Sequence, residues 1–318
     1  MPSEFDIIEQ YFSRHYADNQ AVKLGVGDDA AITTLPSGMD QVIAIDTLVE
    51  DVHFQRNTAA YLVAWKALAV NLSDLAAMGA TPAWFTLALT LPEVNEDWLT
   101  GFSQGLFDLA ERFKINLVGG DTTRGPLTIS VQVAGFIARD KALLRSGARP
   151  GDHIFVTGYI GDGRAGLAVQ QAGAGDSEDN YLLQRLQQPE PRIGFGQSLI
   201  GVANACIDVS DGLLADVAHI LEASNVGASI DLDKMPLSEA CQHKYESLGL
   251  SRLQLAQGGD DYELCFTVPE QNLAMLSCNC DEQGINITRI GTIEAEKGLR
   301  CYQDKQPMTL GQTGYQHF

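Results

Sequence analysis

Basic residues are scarce in this chain. Lysine and arginine together number 21 against 41 aspartates and glutamates, and the formal net charge is −20. A charge of this sign opposes binding to nucleic acid or to an anionic membrane surface, so we exclude both as main partners. The same shortage means that a polyphosphate ligand would need metal ions to neutralise it.

The first 205 residues of the sequence also lack cysteine. The six cysteines stand at positions 206, 241, 265, 278, 280 and 301, and no two of them form a C-x-x-C pair. This pattern favours a reduced cytoplasm over a disulfide framework and argues against structural zinc. Residues 1–6 lack the basic start and apolar core of a signal peptide, and the most apolar long segment, 62–79, carries Lys66 and Asp74. We therefore expect a cytoplasmic protein with no membrane-spanning segment.

Common nucleotide-binding motifs are absent or incomplete. No G-x-x-x-x-G-K-[ST] stretch occurs. Residues 161–166 match G-x-G-x-x-G, but a dinucleotide site also needs a carboxylate about 20 residues further on, at the end of a second strand. A polar loop, residues 173–180, stands there instead. We expect the glycines to begin a packed helix. A dinucleotide-dependent oxidoreductase remains an alternative, which failure to bind a dinucleotide would dismiss.

The sequence is rich in carboxylates set between glycines or at the ends of predicted strands. Adjacent carboxylates repel each other unless a cation or solvent compensates them, and one such turn alone is most simply a solvated turn. Here the pattern recurs, which favours a metal site. The stretches are Gly25–Ala31 with Asp28 and Asp29, a strand at 41–45 followed by Asp46, the strand and glycine turn at 114–125 with Asp121, residues 206–214 with Asp208 and Asp211, and residues 257–267 with Asp260 and Asp261.

A long apolar helix is predicted at residues 59–78. Leu68, Leu72 and Leu75 lie along one stripe, and small or apolar residues surround the opposite side as well. A helix that is apolar nearly all round is buried, and a buried carboxylate must be paired or metal-bound. Asp74 on this helix is therefore a candidate metal ligand.

At 318 residues the chain is long enough for two domains. Predicted strands and helices alternate up to residue 138, and a mixed α+β pattern follows from residue 153. We predict an N-terminal α/β domain at 1–138, a hinge at 139–152 and a C-terminal α+β domain at 153–318. The hinge gathers arginines, including Arg145, and such a local basic cluster is a reasonable phosphate contact.

Taken together, these stretches resemble the thiamine-monophosphate kinase family of the aminoimidazole ribonucleotide synthetase-like superfamily. The resemblance is carried, in order along residues 25–318, by GVGDDAA at 25, DTLV at 46, KALAVNLSDLAAMGA at 66, VGGDTTRG at 118, RSGA at 145, DVSDGL at 208 and GGDDYEL at 258. It therefore covers nearly the whole chain.

The resemblance implies a two-domain fold, α/β plus α+β, whose N-terminal sheet forms a homodimer interface. It implies ATP-dependent phosphorylation of thiamine monophosphate to thiamine diphosphate, by direct in-line transfer on a cluster of several Mg²⁺ ions, with ATP as co-substrate. The implied metal ligands are Asp29, Ala44, Ile45, Asp46, Asp74, Asp121, Asp208 and Asp211, of which Asp29, Asp74, Asp121 and Asp208 are catalytic. The implied ATP contacts are Gly120, Asp121, Arg145 and Ser210, and the implied substrate contacts are His53, Asp260 and Tyr315.

Two positions depart from the family pattern. Asp260 stands where the family usually has Glu, and its shorter side chain moves a substrate contact or hands it to water. Ala44 and Ile45 stand where the family often has hydroxyl side chains, so a metal there would have to use backbone carbonyls.

The expected chemistry agrees with what the sequence contains. The second ionisation of a phosphate monoester lies near pH ~6, so the acceptor oxygen is already largely anionic and needs no general base. Phosphoryl transfer depends mainly on positioning and on cations that bridge the phosphates. The alternatives are another ATP-using enzyme of the superfamily, such as an aminoimidazole ribonucleotide or selenophosphate synthetase, and a non-catalytic acidic binding protein.

Overall fold

The computed structural model describes residues 4–13, 20–173, 175–311 and 314. The chain divides into two compact units. The first unit comprises Met1–Leu75 and Ala80–Asp140, and the second comprises Ala76–Gly79 and Lys141–Phe318. None of the described helices is long and apolar enough to cross a lipid bilayer.

The first unit is built on a four-stranded sheet and a small two-stranded sheet. Their strands are β1 (Val22–Leu24), β2 (Ile32–Thr33), β3 (Met39–Val49), β4 (Thr81–Leu91), β5 (Asn116–Arg124) and β6 (Thr128–Ala138). Strands β1 and β2 pair with each other, and the larger sheet has the order β3–β6–β4–β5. In that sheet β4 and β5 run parallel, while β6 is antiparallel to both β3 and β4. Strand β3 is therefore an edge strand of the described sheet.

Helices in the first unit follow from clear local signals. They are α1 (Glu4–Ile7), which continues as a π-helical turn (Ile8–Phe12), α2 (Ala60–Ala77) and α3 (Glu96–Arg112). Helix α3 begins where the Asn95 side chain accepts a hydrogen bond from the backbone N–H of Trp98 at 3.0 Å. Its apolar face, with Phe102 and Leu106, is buried. Helix α2 is buried almost all round, as its apolar sequence predicts.

The second unit is a seven-stranded mixed sheet with seven described helices. The strands are β7 (His153–Thr157), β8 (Ala205–Asp208), β9 (Gly227–Asp231), β10 (Leu264–Val268), β11 (Ile287–Glu294), β12 (Gly298–Gln303) and β13 (Gln306–Pro307), in the order β13–β12–β9–β11–β7–β10–β8. The helices are α4 (Asp162–Ala172), α5 (Ser177–Gln187), α6 (Ile193–Ser198), α7 (Leu213–Ser224), α8 (Glu239–Lys244), α9 (Arg252–Gln257) and α10 (Leu273–Gln283). A large apolar core joins the sheet to helices of this unit.

The glycines of the G-x-G-x-x-G stretch allow other parts of the backbone to pack closely against helix α4. Gly161 precedes helix α4 with a φ of +94°. A Cβ on Gly163 would lie 2.6 Å from the backbone of Asp260, and one on Gly166 would lie 2.3 Å from the carbonyl oxygen of Leu182. Only glycine allows these close backbone approaches. The prediction of a glycine-rich start to a packed helix is confirmed.

Candidate active site

The acidic turn between β1 and β2 lines a cavity in the first unit. Residues 26–31, which include Asp28 and Asp29, form one wall, and residues 117–122 of β5 form another. The cavity has a volume of about 500 Å³. Its remaining lining residues are Ile8, Phe12, Thr86 and Leu87. Two motifs that lie far apart in the sequence thus share one cavity.

The double glycine in this cavity lies within a strand, so the predicted glycine turn is wrong. Gly120 and Asp121 belong to β5 and stand opposite Leu87 and Ala88 of β4. A register shift leaves Val118 as an extra residue in β5. A Cβ on Gly120 would lie 1.9 Å from the carbonyl oxygen of Leu87. A double glycine is typical of turns, but here the close approach of β4 requires the second one.

The carboxylates around the cavity are exposed. Asp28 Oδ1 accepts a hydrogen bond from the backbone N–H of Asp29 at 2.8 Å, which orients the Asp28 side chain towards its own turn. Among the described residues, no group of three or more His, Cys, Asp or Glu side chains is arranged to hold a metal ion. Mg²⁺ commonly binds through one or two carboxylates together with substrate phosphates and waters. Asp29 and Asp121 offer a donor set of this kind.

Strand β3 carries three of the predicted metal positions. Asp46 is exposed and stands opposite Val131 of β6. Successive carbonyls of a strand point to opposite edges, and β3 is paired only with β6 in the described sheet. One of the Ala44 and Ile45 carbonyls therefore faces β6, and the other faces the free edge, where it could serve as a ligand.

Asp74 is less buried than the sequence predicts. It is half-buried near the end of α2. Two polar residues of this helix, Asn71 and Ser73, are fully buried, and Asn71 Nδ2 donates to the carbonyl oxygen of Ala67 at 2.9 Å. Within the described residues, Asn71 Oδ1 has no hydrogen-bond partner. The positions next to Asp74 are covered as predicted, since Ser73, Leu75 and Ala76 are fully buried, but the Asp74 side chain itself is partly open to solvent.

His53 lies in a turn after β3, where its ring binds the backbone. Its Nδ1 accepts a hydrogen bond from the N–H of Val49 at 3.0 Å. Accepting at Nδ1 requires the neutral tautomer with its proton on Nε2. The Nδ1 lone pair is therefore engaged in holding the turn.

In the second unit, the turn after β8 is held by a carboxylate that sequence reasoning missed. Asp216 Oδ2 accepts hydrogen bonds from the backbone N–H groups of Ser210 and Asp211, at 3.0 and 3.2 Å. Burial raises the pKa of Asp216 to about 8, and the nearby charges of Asp208 and Asp211 add to the rise. The buried Asp216 side chain therefore fixes the backbone of Ser210, a predicted ATP contact, and of Asp211, a predicted metal ligand. Its position six residues after Ser210, on α7, carried no sequence signal of its own.

The loop at 258–263 lies against this turn. The N–H of Asp260 donates to the carbonyl oxygen of Ser210 at 2.9 Å, and the N–H of Tyr262 donates to that of Val209 at 2.8 Å. Asp260 and Tyr262 have φ angles of +70° and +51°, which non-glycine residues seldom adopt. The predicted ATP contact Ser210 and the predicted substrate contact Asp260 are thus neighbours.

Asp261, between these two residues, anchors the loop from inside. It is 2% exposed, and its two carboxylate oxygens accept hydrogen bonds from the backbone N–H groups of Gly161 and Gly163, at 2.8 and 2.9 Å. Burial raises the pKa of Asp261 well above its usual range, against the opposing effect of these two bonds. The G-x-G-x-x-G stretch therefore supports the acidic loop.

The chain is similar to known proteins over nearly its whole length. The family model for the N-terminal domain of AIR synthase related proteins matches residues 27–137, and that for the C-terminal domain matches residues 149–304. The thiamine-monophosphate kinase of Escherichia coli K12 is 48% identical, over 99% of this chain and 98% of that protein. The enzyme of the same name from Bacillus subtilis 168 is 34% identical, over 99% of both chains.

Solved structures agree as well. The thiamine-monophosphate kinase of Stenotrophomonas maltophilia K279a superposes with a TM-score of 0.84 at 43% identity, covering 91% of this chain and 92% of that one. AaThiL complexed with AMPPCP and TMP gives a TM-score of 0.79 at 32% identity, covering 92% of both chains. The chain belongs to the thiamine-monophosphate kinase family. The predicted α/β plus α+β fold of that family is confirmed.

In this member of the thiamine-monophosphate kinase family, the structure groups the predicted site residues within each unit. In the first unit Asp29, Gly120 and Asp121 line one cavity, whereas the predicted residues of β3, of α2 and of the turn at His53 lie outside its lining. In the second unit Asp208 ends strand β8, and Ser210, Asp211 and Asp260 occupy two hydrogen-bonded loops. Tyr315 lies outside the described residues. A Cβ on its neighbour Gly314 would lie 2.7 Å from the carbonyl oxygen of Asp211. At Gly314 the chain therefore passes close to the turn that follows β8.

The Arg145 loop of this family member is held by a single hydroxyl. Ser224 Oγ accepts from the N–H groups of Gly147 and Ala148, both at 3.1 Å, and donates to the carbonyl oxygen of Arg145 at 3.2 Å. Gly147 has a φ of +119°, and a Cβ there would lie 2.4 Å from the carbonyl oxygen of Asn204. The loop leaves the Arg145 side chain exposed. Its guanidinium is thus accessible to a phosphate.

A buried ionic network also supports the 258–263 loop, and sequence reasoning missed its arginines. Glu263 is completely buried and binds both Arg185 and Arg192. Thr157 Oγ1 donates to Glu263 Oε2 at 2.6 Å and accepts the N–H of Leu264 at 2.8 Å. Two guanidinium groups and a hydroxyl compensate a charge that would otherwise be costly to bury. The arginines lie on or near α5 and α6, remote in sequence from the acidic motif.

Proposed function

We propose that this protein transfers the γ-phosphoryl group of ATP to thiamine monophosphate and so forms thiamine diphosphate. The observation that carries the proposal is the 500 Å³ cavity in which the Asp29 turn and the Gly120–Asp121 strand meet, in a chain 48% identical to a thiamine-monophosphate kinase. AMPPCP, bound by AaThiL together with TMP, is an ATP analogue. We therefore assign ATP as co-substrate and thiamine monophosphate as acceptor.

Several Mg²⁺ ions complete the proposal. Mg²⁺ would neutralise the phosphate oxygens and the charge that develops between donor and acceptor. The residues that would hold it are the eight metal ligands implied by the family. Of Ala44 and Ile45, the residue whose carbonyl faces the free edge of β3 would contribute that carbonyl oxygen. Asp29 and Asp121, exposed at one cavity, are oxygen donors of the type that Mg²⁺ prefers.

The residues of this chain then bind and orient the two phosphate groups. Gly119 and Gly120 line the cavity, and a Cβ on Gly119 would meet no atom within 4 Å, so the backbone of β5 there is open to a phosphate or to the nucleotide. The exposed Arg145 side chain supplies a fixed positive charge without proton chemistry. Ser210 and Asp260 lie on adjacent loops, one assigned to ATP and the other to the substrate. His53 and Tyr315 remain predicted substrate contacts.

No side chain needs to act as a general base. The acceptor phosphate is largely ionised at neutral pH, with a second pKa near ~6. A free alcohol, by contrast, would need a base within hydrogen-bonding reach. His53 Nδ1 is occupied by the N–H of Val49. The mechanism therefore accepts thiamine monophosphate and rejects thiamine.

An ADP-release assay tests this function directly. Purified protein with ATP and Mg²⁺ should release ADP when thiamine monophosphate is added and should stay at background with thiamine. Equal turnover with thiamine would contradict the mechanism. Absence of turnover with thiamine monophosphate, combined with turnover on another phosphorylated acceptor, would favour a different enzyme of the superfamily.

We further propose a cytoplasmic homodimer that uses the sheet of the first unit. On edge strand β3, Ile43 and Ile45 lie on the same face and are 55% and 62% exposed. Apolar side chains this exposed on an edge strand favour a protein interface. The six cysteines are all free, which suits the reducing cytoplasm, where ATP is available. The domain boundaries at 138 and 153 remain part of this proposal.

A further inference from the structure

A second cavity, in the second unit, collects positive charge. It has a volume of about 650 Å³ and is lined by residues of β9, β11 and β12 and of the turns that follow β9 and β12. Lys234, Arg289 and Lys305 line it, with Tyr302 and Thr292 beside them. We call it the basic groove. Three of only 21 basic residues line one groove in a chain with 41 carboxylates.

The charges in the basic groove are not cancelled. Its one carboxylate, Asp231, lies 3.1 Å from the Lys234 ammonium group. Arg289 donates to the Thr292 hydroxyl at 3.1 Å. Within the part of the chain that the structure describes, neither Arg289 nor Lys305 contacts a carboxylate. Among the side chains that line the groove, three cations and one carboxylate leave two positive charges. The carboxylates of Asp233 and Asp304, which adjoin the lining lysines in sequence, lie outside that lining.

Lys305 lines the groove in a strained, left-handed backbone conformation. Asp304 and Lys305 form the two-residue turn between β12 and β13, with φ angles of +50° and +61°. Glycine is the usual residue at the second position of such a turn, because a left-handed lysine is strained. The N–H of Asp304 donates to Asp233 Oδ2 at 2.7 Å, which ties the turn to the segment that carries Lys234. Strain of this kind is found preferentially at functional sites.

The basic groove is separate from the candidate active site of the same unit. Strands β7 and β10 lie between β11, the groove-lining strand nearest to the active site, and β8, which ends in Asp208. Three strand spacings correspond to roughly 14 Å. The groove is therefore not a subsite of the acidic loops.

We propose that the basic groove binds a small phosphate-bearing molecule. Two uncompensated positive charges match a phosphate dianion better than a monocarboxylate, and arginine and lysine are the usual phosphate-binding residues. A long polyanion is excluded, because beyond the groove it would meet a surface of net charge −20. The cations are part of the chain, so binding requires no divalent metal.

Calorimetric titration with inorganic pyrophosphate in EDTA tests this proposal. Without divalent metal the carboxylates of the active site repel the probe. Arg145 is the phosphate contact assigned there, so the binding that an Arg145→Gln variant retains reports the basic groove. Lys305→Gly and Arg289→Gln should each weaken binding roughly three- to tenfold at low salt, and added salt should weaken it further. A parallel titration with AMP shows whether an organic group adds affinity next to Tyr302.

The matched control is Lys114→Gly in the first unit. Lys114 is also an exposed lysine in a left-handed conformation, with a φ of +52°. This variant should bind pyrophosphate like the parent protein. Lys305→Gly relieves backbone strain and should not lower the melting temperature, so its loss of binding would not reflect misfolding. Absence of pyrophosphate binding, or equal weakening by Lys114→Gly, would overturn the proposal.

Discussion

Two neighbouring aspartates of the 258–263 loop differ in role because they differ in burial. Asp261 is buried and binds two backbone N–H groups, whereas Asp260 is half-buried and adjoins Ser210. An amide in place of the Asp261 carboxylate keeps one acceptor and turns an NH₂ group towards the other N–H. One buried N–H then loses its partner.

We expect Asp261→Asn to destabilise the protein by about 1–3 kcal/mol, the cost of an unsatisfied buried polar group. Urea denaturation measures the change. Asp260→Asn is the control, since its backbone contacts are retained; it should leave stability nearly unchanged and raise the KM for the acceptor. Equal loss of stability in both variants would show that the anchoring role is misassigned.

The adjacent pair Asp28 and Asp29 allows a similar contrast in catalysis. The Asp28 side chain accepts the Asp29 N–H, which an asparagine can also do. Asp29 is the proposed metal ligand. Asp29→Asn should lower kcat by orders of magnitude, as should Asp121→Asn, and the double variant should be little worse than either alone, because the ligands act as a unit. Asp28→Asn should retain most activity. Initial rates at saturating Mg²⁺ distinguish these outcomes.

At the scale of elements, the two glycines of β5 differ in how closely other atoms approach them. A Cβ on Gly119 would meet no atom within 4 Å, whereas one on Gly120 would lie 1.9 Å from the Leu87 carbonyl oxygen. Gly120→Ala should therefore force β5 away from β4 and destabilise the first unit by roughly 3 kcal/mol, the upper end for overpacking. Thermal unfolding provides the measurement. Gly119→Ala should unfold within a degree or two of the parent, and a comparable loss there would refute the packing argument.

Helices and strands with a regular apolar pattern could be predicted well from the sequence. The residues that hold the loops of the candidate site in place could not. The helix predicted at 59–78 is α2 (Ala60–Ala77), and the strand predicted at 41–45 lies within β3 (Met39–Val49). Apolar periodicity is a local property and survives folding. The anchoring carboxylates Asp216 and Asp261, and the arginines that bind Glu263, depend on contacts between distant segments.

At the scale of the whole molecule, the cysteines divide sharply by burial. Burial raises the thiol pKa of Cys206, Cys241, Cys265 and Cys301, the last to about 11. A raised pKa lowers the thiolate fraction at any pH below it, and the thiolate is the reactive form. Cys278 is exposed and Cys280 partly so.

At pH 8 a chromogenic disulfide reagent should modify Cys278 quickly, Cys280 more slowly, and the four buried thiols only after denaturation. Raising the pH to 9 should leave the buried four protected. The released chromophore gives the count in native and denatured protein. More than two fast thiols in the native protein would contradict the packing of the second unit.

The proposed dimer can be tested by adding a charge to the edge strand. Ile43→Glu would bury a carboxylate in the interface and should shift the protein to monomer in sedimentation experiments. Met275→Glu changes a residue with the same 55% exposure in the second unit and should remain dimeric. A parent protein that sediments as a monomer would remove the dimer from the proposal.

The amino-acid sequence by itself determined the family, the order of the acidic motifs and most strands and helices, because these depend on residue types and on local apolar periodicity. Only the tertiary structure decided that Gly119 and Gly120 lie in a strand and that Asp261 binds the glycines at 161 and 163. It also decided that Lys234, Arg289 and Lys305 line one groove. Such features arise when distant segments come into contact, and the free energy of a buried carboxylate or an uncompensated cation is set by the neighbours that folding supplies.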